Sequence, residues 1–147
     1  LLNQLLGLGH IGYPASLLRE YRSWVVLLRP AQPTLGSLIL ACKEDATSLG
    51  AVSAAAYAEL ATATAELEHA LRTAFNFQRI NYLALMMVDP HVHFHVIPRY
   101  AEPLEFEGAT CGDAAFPKPP DLSVALALTS AQVDALHARL RAAWRKP

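Results

Sequence analysis

The sequence predicts a mixed domain in which strands are gathered into a sheet and covered by helix, and three observations point there. The run Tyr21 to Leu28 is rich in β-branched and aromatic residues, and a Pro/Gly loop separates it from a second apolar run, Ser37 to Cys42, giving a strand, loop and strand. From Ser53 to Phe75 the chain is alanine-rich and free of Pro and Gly, with Leu60, Leu67 and Leu71 on one stripe and Glu59, Glu66 and Arg72 mostly off it. Such a helix covers a sheet. Two further apolar runs, Arg79 to Met87 and His91 to Ile97, are separated only by Val88-Asp89-Pro90, so they read as antiparallel neighbours across a tight connection.

Length and composition set the frame for these elements. With 147 residues, 17% charged and 53% hydrophobic, residues 1–147 are expected to form one domain with a real core and enough apolar surface to suit self-association. A net charge of -1 excludes a broad basic field for DNA or RNA. Cys42 and Cys111 lie far apart and suggest no disulfide framework, which fits a reducing cytoplasm. No apolar run reaches the roughly 18 residues of a membrane span. The start, Leu1 to Leu6, lacks a basic region and is broken by Asn3 and Gln4, which argues against a signal peptide and for a short amphipathic lead-in.

Along the chain, residues 7–15 are turn-rich, with Gly7, Gly9, Gly12 and Pro14, and His10 among them reads as exposed filler. Arg29-Pro30 ends the first strand, and Pro30 to Gly36 is the loop. Asn76 is placed to stop the long helix, in which His69 reads as a surface residue. Residues 101–128, with four prolines before Asp121, read as an extended loop with at most a short strand at Leu104 to Phe106; a loop of that length is more often functional or interfacial than idle. A C-terminal helix follows over 129–146, capped by Thr129 or Ser130, with Val133, Leu136, Leu140 and Trp144 as its apolar stripe. Arg139, Arg141, Arg145 and Lys146 read as a solvated end that complements the helix dipole.

The chemistry is concentrated in His91-Val92-His93-Phe94-His95-Val96-Ile97. In a strand the three imidazoles share one face while Val92, Phe94 and Val96 cover the other, with neighbouring rings about 6 to 7 Å apart. Three readings are open. The row is a set of zinc ligands, for which Glu102, Glu105 and Glu107 follow but no later histidine on a credible strand; or it is a structural feature of an exposed sheet face; or it is a nucleophile with flanking groups that hold phosphate oxygens, the central residue being best placed to attack. For the last, one imidazole nitrogen must be held by a fixed acceptor.

That row, followed by Pro98-Arg99, resembles the histidine-triad motif of nucleotide hydrolases and transferases. The resemblance covers roughly residues 20–100. It implies an α+β fold with a five-stranded antiparallel sheet, pairing two protomers into a continuous sheet. It implies cleavage at a nucleotide α-phosphate, of a dinucleoside polyphosphate or a nucleoside phosphoramidate, through a nucleotidyl-histidine intermediate. His93 matches the nucleophile and His91 and His95 the flanking phosphate contacts, His95 also towards the leaving group; Arg29, Ser37, Asp89 and Arg99 are the implied substrate contacts. No metal or other cofactor belongs to the centre, and the implied partners are a nucleotide and a second copy of the chain. Met86, Met87 and Val88 stand where that family commonly carries small polar or amide residues, Ser37 follows Gly36 where it often has histidine, and Arg29 replaces an acidic or amide residue. A nucleotide-binding or scaffold protein of the same fold without turnover is the alternative: the methionines favour it and the intact triad opposes it.

Overall fold

The structure, a computed structural model, describes residues 15–144. The lead-in at Leu1 to Leu6, His10, Arg145 and Lys146 lie outside the described residues. Five strands form an antiparallel sheet: β1 (Leu17–Glu20), β2 (Trp24–Leu28), β3 (Leu38–Cys42), β4 (Arg79–Leu83) and β5 (His93–Arg99), in the spatial order β1-β2-β3-β5-β4. Helix α1 (Ala54–Ala74) lies between β3 and β4 in sequence. A hairpin of β6 (Leu104–Phe106) and β7 (Ala109–Cys111) and the helix α2 (Ser130–Ala143) follow. The fold is α+β, as expected.

β2 and β3 are buried at every residue because both faces of the sheet are covered in the middle. On one face Val26, Leu28, Leu38, Leu40 and Val96 join Leu67 and Leu71 of α1 in the main core. On the other, Val25, Leu27, Ile39 and Ala41 form a separate small cluster. Strand alternation assigns the two sets, and it assigns His93 and His95 to the second face with Ile39 and Ala41 as cross-strand partners. The helix begins at Ser53, whose hydroxyl accepts from the Ala56 N–H at 3.1 Å, and α2 begins with a full capping box between Thr129 and Gln132.

Several elements differ from the sequence expectation, each for a local reason. The expected strand from Tyr21 begins only at Trp24, and an unpredicted strand, β1, precedes it: Tyr21 to Ser23 turn between β1 and β2, fastened by Tyr21 N–H to the Trp24 carbonyl and by the Glu59 carboxylate accepting from the Arg22 and Ser23 amides. Helix α1 ends at Ala74 with Phe75 as its extended cap, one residue before Asn76. Glu66 points inward, accepting from the Tyr21 hydroxyl at 2.8 Å, so the predicted polar face carries one buried acid. Arg139 is exposed, as expected, yet it also donates to the Ala74 carbonyl and lies over Phe75 and Phe106, tying α2 to the end of α1. The β4–β5 connection is longer than three residues, running from Ala84 to Val92.

The stretch after β5 is anchored rather than loose. Arg99 is 3% exposed and its guanidinium donates to both carboxylate oxygens of Asp113, to Asn81 Oδ1 and to the Lys118 carbonyl. Asp113 also accepts from the Tyr100 amide. Removing one partner from such a pair leaves a buried charge without compensation. Arg99→Met is therefore expected to cost about 3 to 5 kcal/mol in a denaturant titration; a loss below about 1 kcal/mol, the usual worth of a surface pair, would show the pair to be solvated.

Candidate active site

The register of β5 against β3 builds the site. His95 stands opposite Ile39 and His93 opposite Ala41, with ring centroids 5.1 Å apart and tilted edge to face. On the reverse side Phe94 packs against Trp24 and Tyr82, so the strand rests on an aromatic support. His91 departs from the expected row. It precedes β5, is buried, and its Nε2 lies 2.7 Å from the Cys42 carbonyl at the end of β3, where it donates. Backbone bonds from Cys42 N–H to the Val92 carbonyl and from Val92 N–H to the Ala46 carbonyl hold the same corner. The first histidine thus braces the strand entry instead of offering its ring to a phosphate.

Its main chain has the more chemical role. The His91 carbonyl lies 2.6 Å from His93 Nδ1, and a carbonyl only accepts, so Nδ1 carries the proton and Nε2 of His93 keeps its lone pair. His95 has the opposite tautomer. Arg29 Nε donates to His95 Nδ1 at 3.4 Å, leaving the proton of the neutral ring on Nε2. Burial, then the Arg29 guanidinium, then His93 push the His95 pKa down to about 4. With both rings in their neutral forms the pair is a lone-pair nitrogen beside an N–H donor. Because the folded pKa lies below the unfolded value, the neutral ring supports the fold above about pH 6.5 and that support is lost as pH falls towards 4.

Arg29 is held in place by a residue the sequence reading passed over as loop. Gln32 is 1% exposed; its amide N–H groups donate to the Arg29 and Ser37 carbonyls and its Oε1 accepts from the Gly36 and Ser37 amides. One side chain closes the β2–β3 loop. Gly36 adopts a φ of 90°, and a Cβ there would come within 3.0 Å of Leu71, so the turn requires glycine. A lone Gln between two prolines carries no local signal of this kind; only its burial and four backbone partners mark it.

The other expected substrate contacts divide. Ser37 is fully buried and its hydroxyl donates to the Thr34 carbonyl, so it serves the loop and is not presented to a ligand. Arg99 shares the face of His93 and His95 by alternation but is consumed by Asp113, Asn81 and Lys118. Asp89 accepts from the His91 amide at 3.1 Å, forming the turn its sequence position suggests, and it also borders the triad cavity. That cavity, of about 230 Å³, is closed by residues 85–89 on one side and by His93 and His95 on the other. His69 is exposed on the surface of α1, as expected, and it does not line the triad cavity. With His91 committed to Cys42 and His93 to the His91 carbonyl, the three rings do not converge, and among the described residues no group of three His, Cys, Asp or Glu side chains is arranged to hold a metal ion.

The model of the HIT domain, the histidine-triad domain, matches residues 19–102. The chain belongs to the HIT-domain family. Among solved HIT structures it is similar to a histidine triad protein from Bradyrhizobium japonicum, at 22% identity over 89% of this chain and 92% of that one, with a TM-score of 0.71. A histidine triad protein from Sinorhizobium meliloti 1021 gives 20% identity, 91% and 90% coverage and a TM-score of 0.71. One from Marinobacter aquaeolei VT8 gives 22%, 88%, 90% and 0.69. At these identities the likeness to the solved HIT proteins is one of fold. No curated protein sequence matches the chain.

The HIT triad of this chain thus has a cation beside its last histidine. Arg29→Met removes that charge and the donor to Nδ1, so the His95 pKa is expected to rise from about 4 towards its ordinary value. A pH titration of the His95 ring signals by NMR checks this; an unchanged midpoint would show that Arg29 has no part in the shift.

Proposed function

We propose that the protein cleaves or transfers at the α-phosphate of a nucleotide through a nucleotidyl-His93 intermediate. The observation that carries this reading is the 2.6 Å bond from His93 Nδ1 to the His91 carbonyl, which leaves Nε2 free to attack while its ring borders the cavity. Family membership supports a nucleotide-binding or hydrolase-type function in general. In the first step the Nε2 lone pair bonds to phosphorus as the bond to the leaving group breaks; the leaving group departs with that electron pair and takes a proton from solvent. Water then adds to phosphorus, releasing a proton, and the P–N electron pair returns to Nε2. Neutral His95 donates through Nε2–H to a phosphoryl oxygen, and the nearby Arg29 guanidinium offsets the charge that develops there. His91 acts as a positioning residue. Asp89, at the cavity border, is the remaining expected contact to substrate.

Intact-mass spectrometry of the protein quenched in alkali, which preserves the acid-labile P–N bond, after mixing with adenosine phosphoramidate tests the reading: a nucleotidyl adduct that is absent from His93→Ala, and released mononucleotide, are expected. His93→Ala is expected to lower turnover by on the order of 10³-fold or more with the melting temperature nearly unchanged, since the ring borders a cavity and not the core. Equal activity in that variant would refute the assignment. Nucleotide binding with neither adduct nor product would instead favour a binding protein of the same fold, the reading suggested by the apolar residues 85–88 at the cavity.

The proposal includes a homodimer built by sheet extension. β1 and β4 are the outer strands, and β4 borders an open cleft of about 740 Å³ facing Phe116 to Pro120. An unpaired edge offers its N–H and C=O groups to a second copy. Light scattering is expected to give twice the chain mass; a monomer at micromolar concentration would overturn this part.

A further inference from the structure

The loop between β4 and β5 spends apolar side chains in a way the fold does not require. Met87 is 82% exposed, Val88 102% and Leu85 49%, and none of them belongs to either core cluster. A single exposed apolar residue is ordinary, but three within four positions make a patch. The backbone there is also unusual: Met86 has a φ of 43°, the left-handed region that favours glycine or asparagine. The loop therefore holds a costly conformation while turning its neighbours towards solvent.

The patch is continuous with the triad cavity, since residues 85–88 form one wall and His93 and His95 the other. Charge around the phosphorus position is divided. Arg29 reaches His95 through Nδ1 and does not border the cavity; among the described residues its lining includes no lysine or arginine and has one carboxylate, Asp89, already turned to the His91 amide. A polyphosphate lying on this side would meet apolar carbon and an acid, with no cation to offset several negative charges. An alkyl or aryl group would instead remove exposed apolar surface of Leu85, Met87 and Val88 from water.

We propose that Leu85, Met87 and Val88 form a specificity lip that makes the triad select substrates whose leaving group is apolar and uncharged, an alkyl or aryl amine, over those whose leaving group is a polyphosphate. This rests on the reaction proposed for His93. The P–N bond to the amine breaks, its electron pair stays on the amine nitrogen, which is protonated by solvent, and the P–Nε2 bond to His93 forms.

The test compares adenosine 5′-phosphoramidates of methylamine and hexylamine, whose amines are of similar basicity, with diadenosine tetraphosphate, in the wild type and in Leu85→Ser/Met87→Ser/Val88→Ser. All three positions are solvent-exposed, and melting temperatures check that the variant folds. In the wild type kcat/KM for the hexyl substrate is expected to exceed that for the methyl substrate by about tenfold or more, with the tetraphosphate poorest. In the variant the hexyl-to-methyl ratio is expected to fall towards one. A wild-type ratio at or below one, a ratio unchanged in the variant, or a preference for the tetraphosphate overturns the lip while leaving the His93 reaction standing. A change of oligomeric state in the variant without a change in ratio assigns the patch to a subunit contact and equally overturns it. Absence of turnover and of any His93 adduct with all three substrates removes both proposals together.

Discussion

The pairing of β5 with β3 is the constraint on which the site depends. It sets His95 against Ile39 and His93 against Ala41, and it carries the end of β3 to the point where the Cys42 carbonyl meets the His91 ring. A slip of one residue would turn His93 and His95 into the main core and bring Phe94 out. Phe94, wedged against Trp24 and Tyr82, opposes that slip, so the aromatic contacts behind the strand protect the chemistry in front of it. The tautomers follow from the same register: a carbonyl behind His93 and a guanidinium behind His95 give two chemically identical rings opposite hydrogen-bonding characters.

Much of this was legible in the order of residues. Period-two alternation around the histidines, the uninterrupted apolar runs of β2 and β3, and a long alanine-rich stretch each obey one local rule, and each became the expected element. Of the two N-cap candidates for α2, Thr129 and Ser130, the structure uses Thr129. The errors have a common source in contacts between distant residues. β1 is only Leu17 to Glu20 and gains its identity from pairing with β2, so no window of its own sequence marks it. Glu66 looked like a surface charge but is buried against the Tyr21 hydroxyl, and the bond of the exposed Arg139 to the Ala74 carbonyl depends on a helix far away in sequence.

The site was legible in kind and less so in division of labour. Alternation placed all three rings on one face of a strand, yet His91 falls before the strand begins, where the chain is still bending round Asp89, and its ring turns to β3. Ser37 and Arg99 lay at positions suggestive of ligand contact, but one is absorbed by a loop and the other by an ion pair. Arg29 did reach the triad. Gln32, which closes the loop bearing Arg29, could not be singled out because its importance lies in four backbone groups that only the folded turn brings within reach.

The Arg99–Asp113 pair gives the chain a folding boundary that differs from its family boundary. The HIT match stops at residue 102, while the groups that neutralise and satisfy Arg99 include Asp113 and the carbonyl of Lys118. A protein cut at the end of the matched region would keep every histidine of the triad and the whole five-stranded sheet, yet would strand a guanidinium at the end of the last strand with only Asn81 beside it. The stretch that follows β5 is therefore not an appendage to a finished domain but the counter-ion its final strand was built to need.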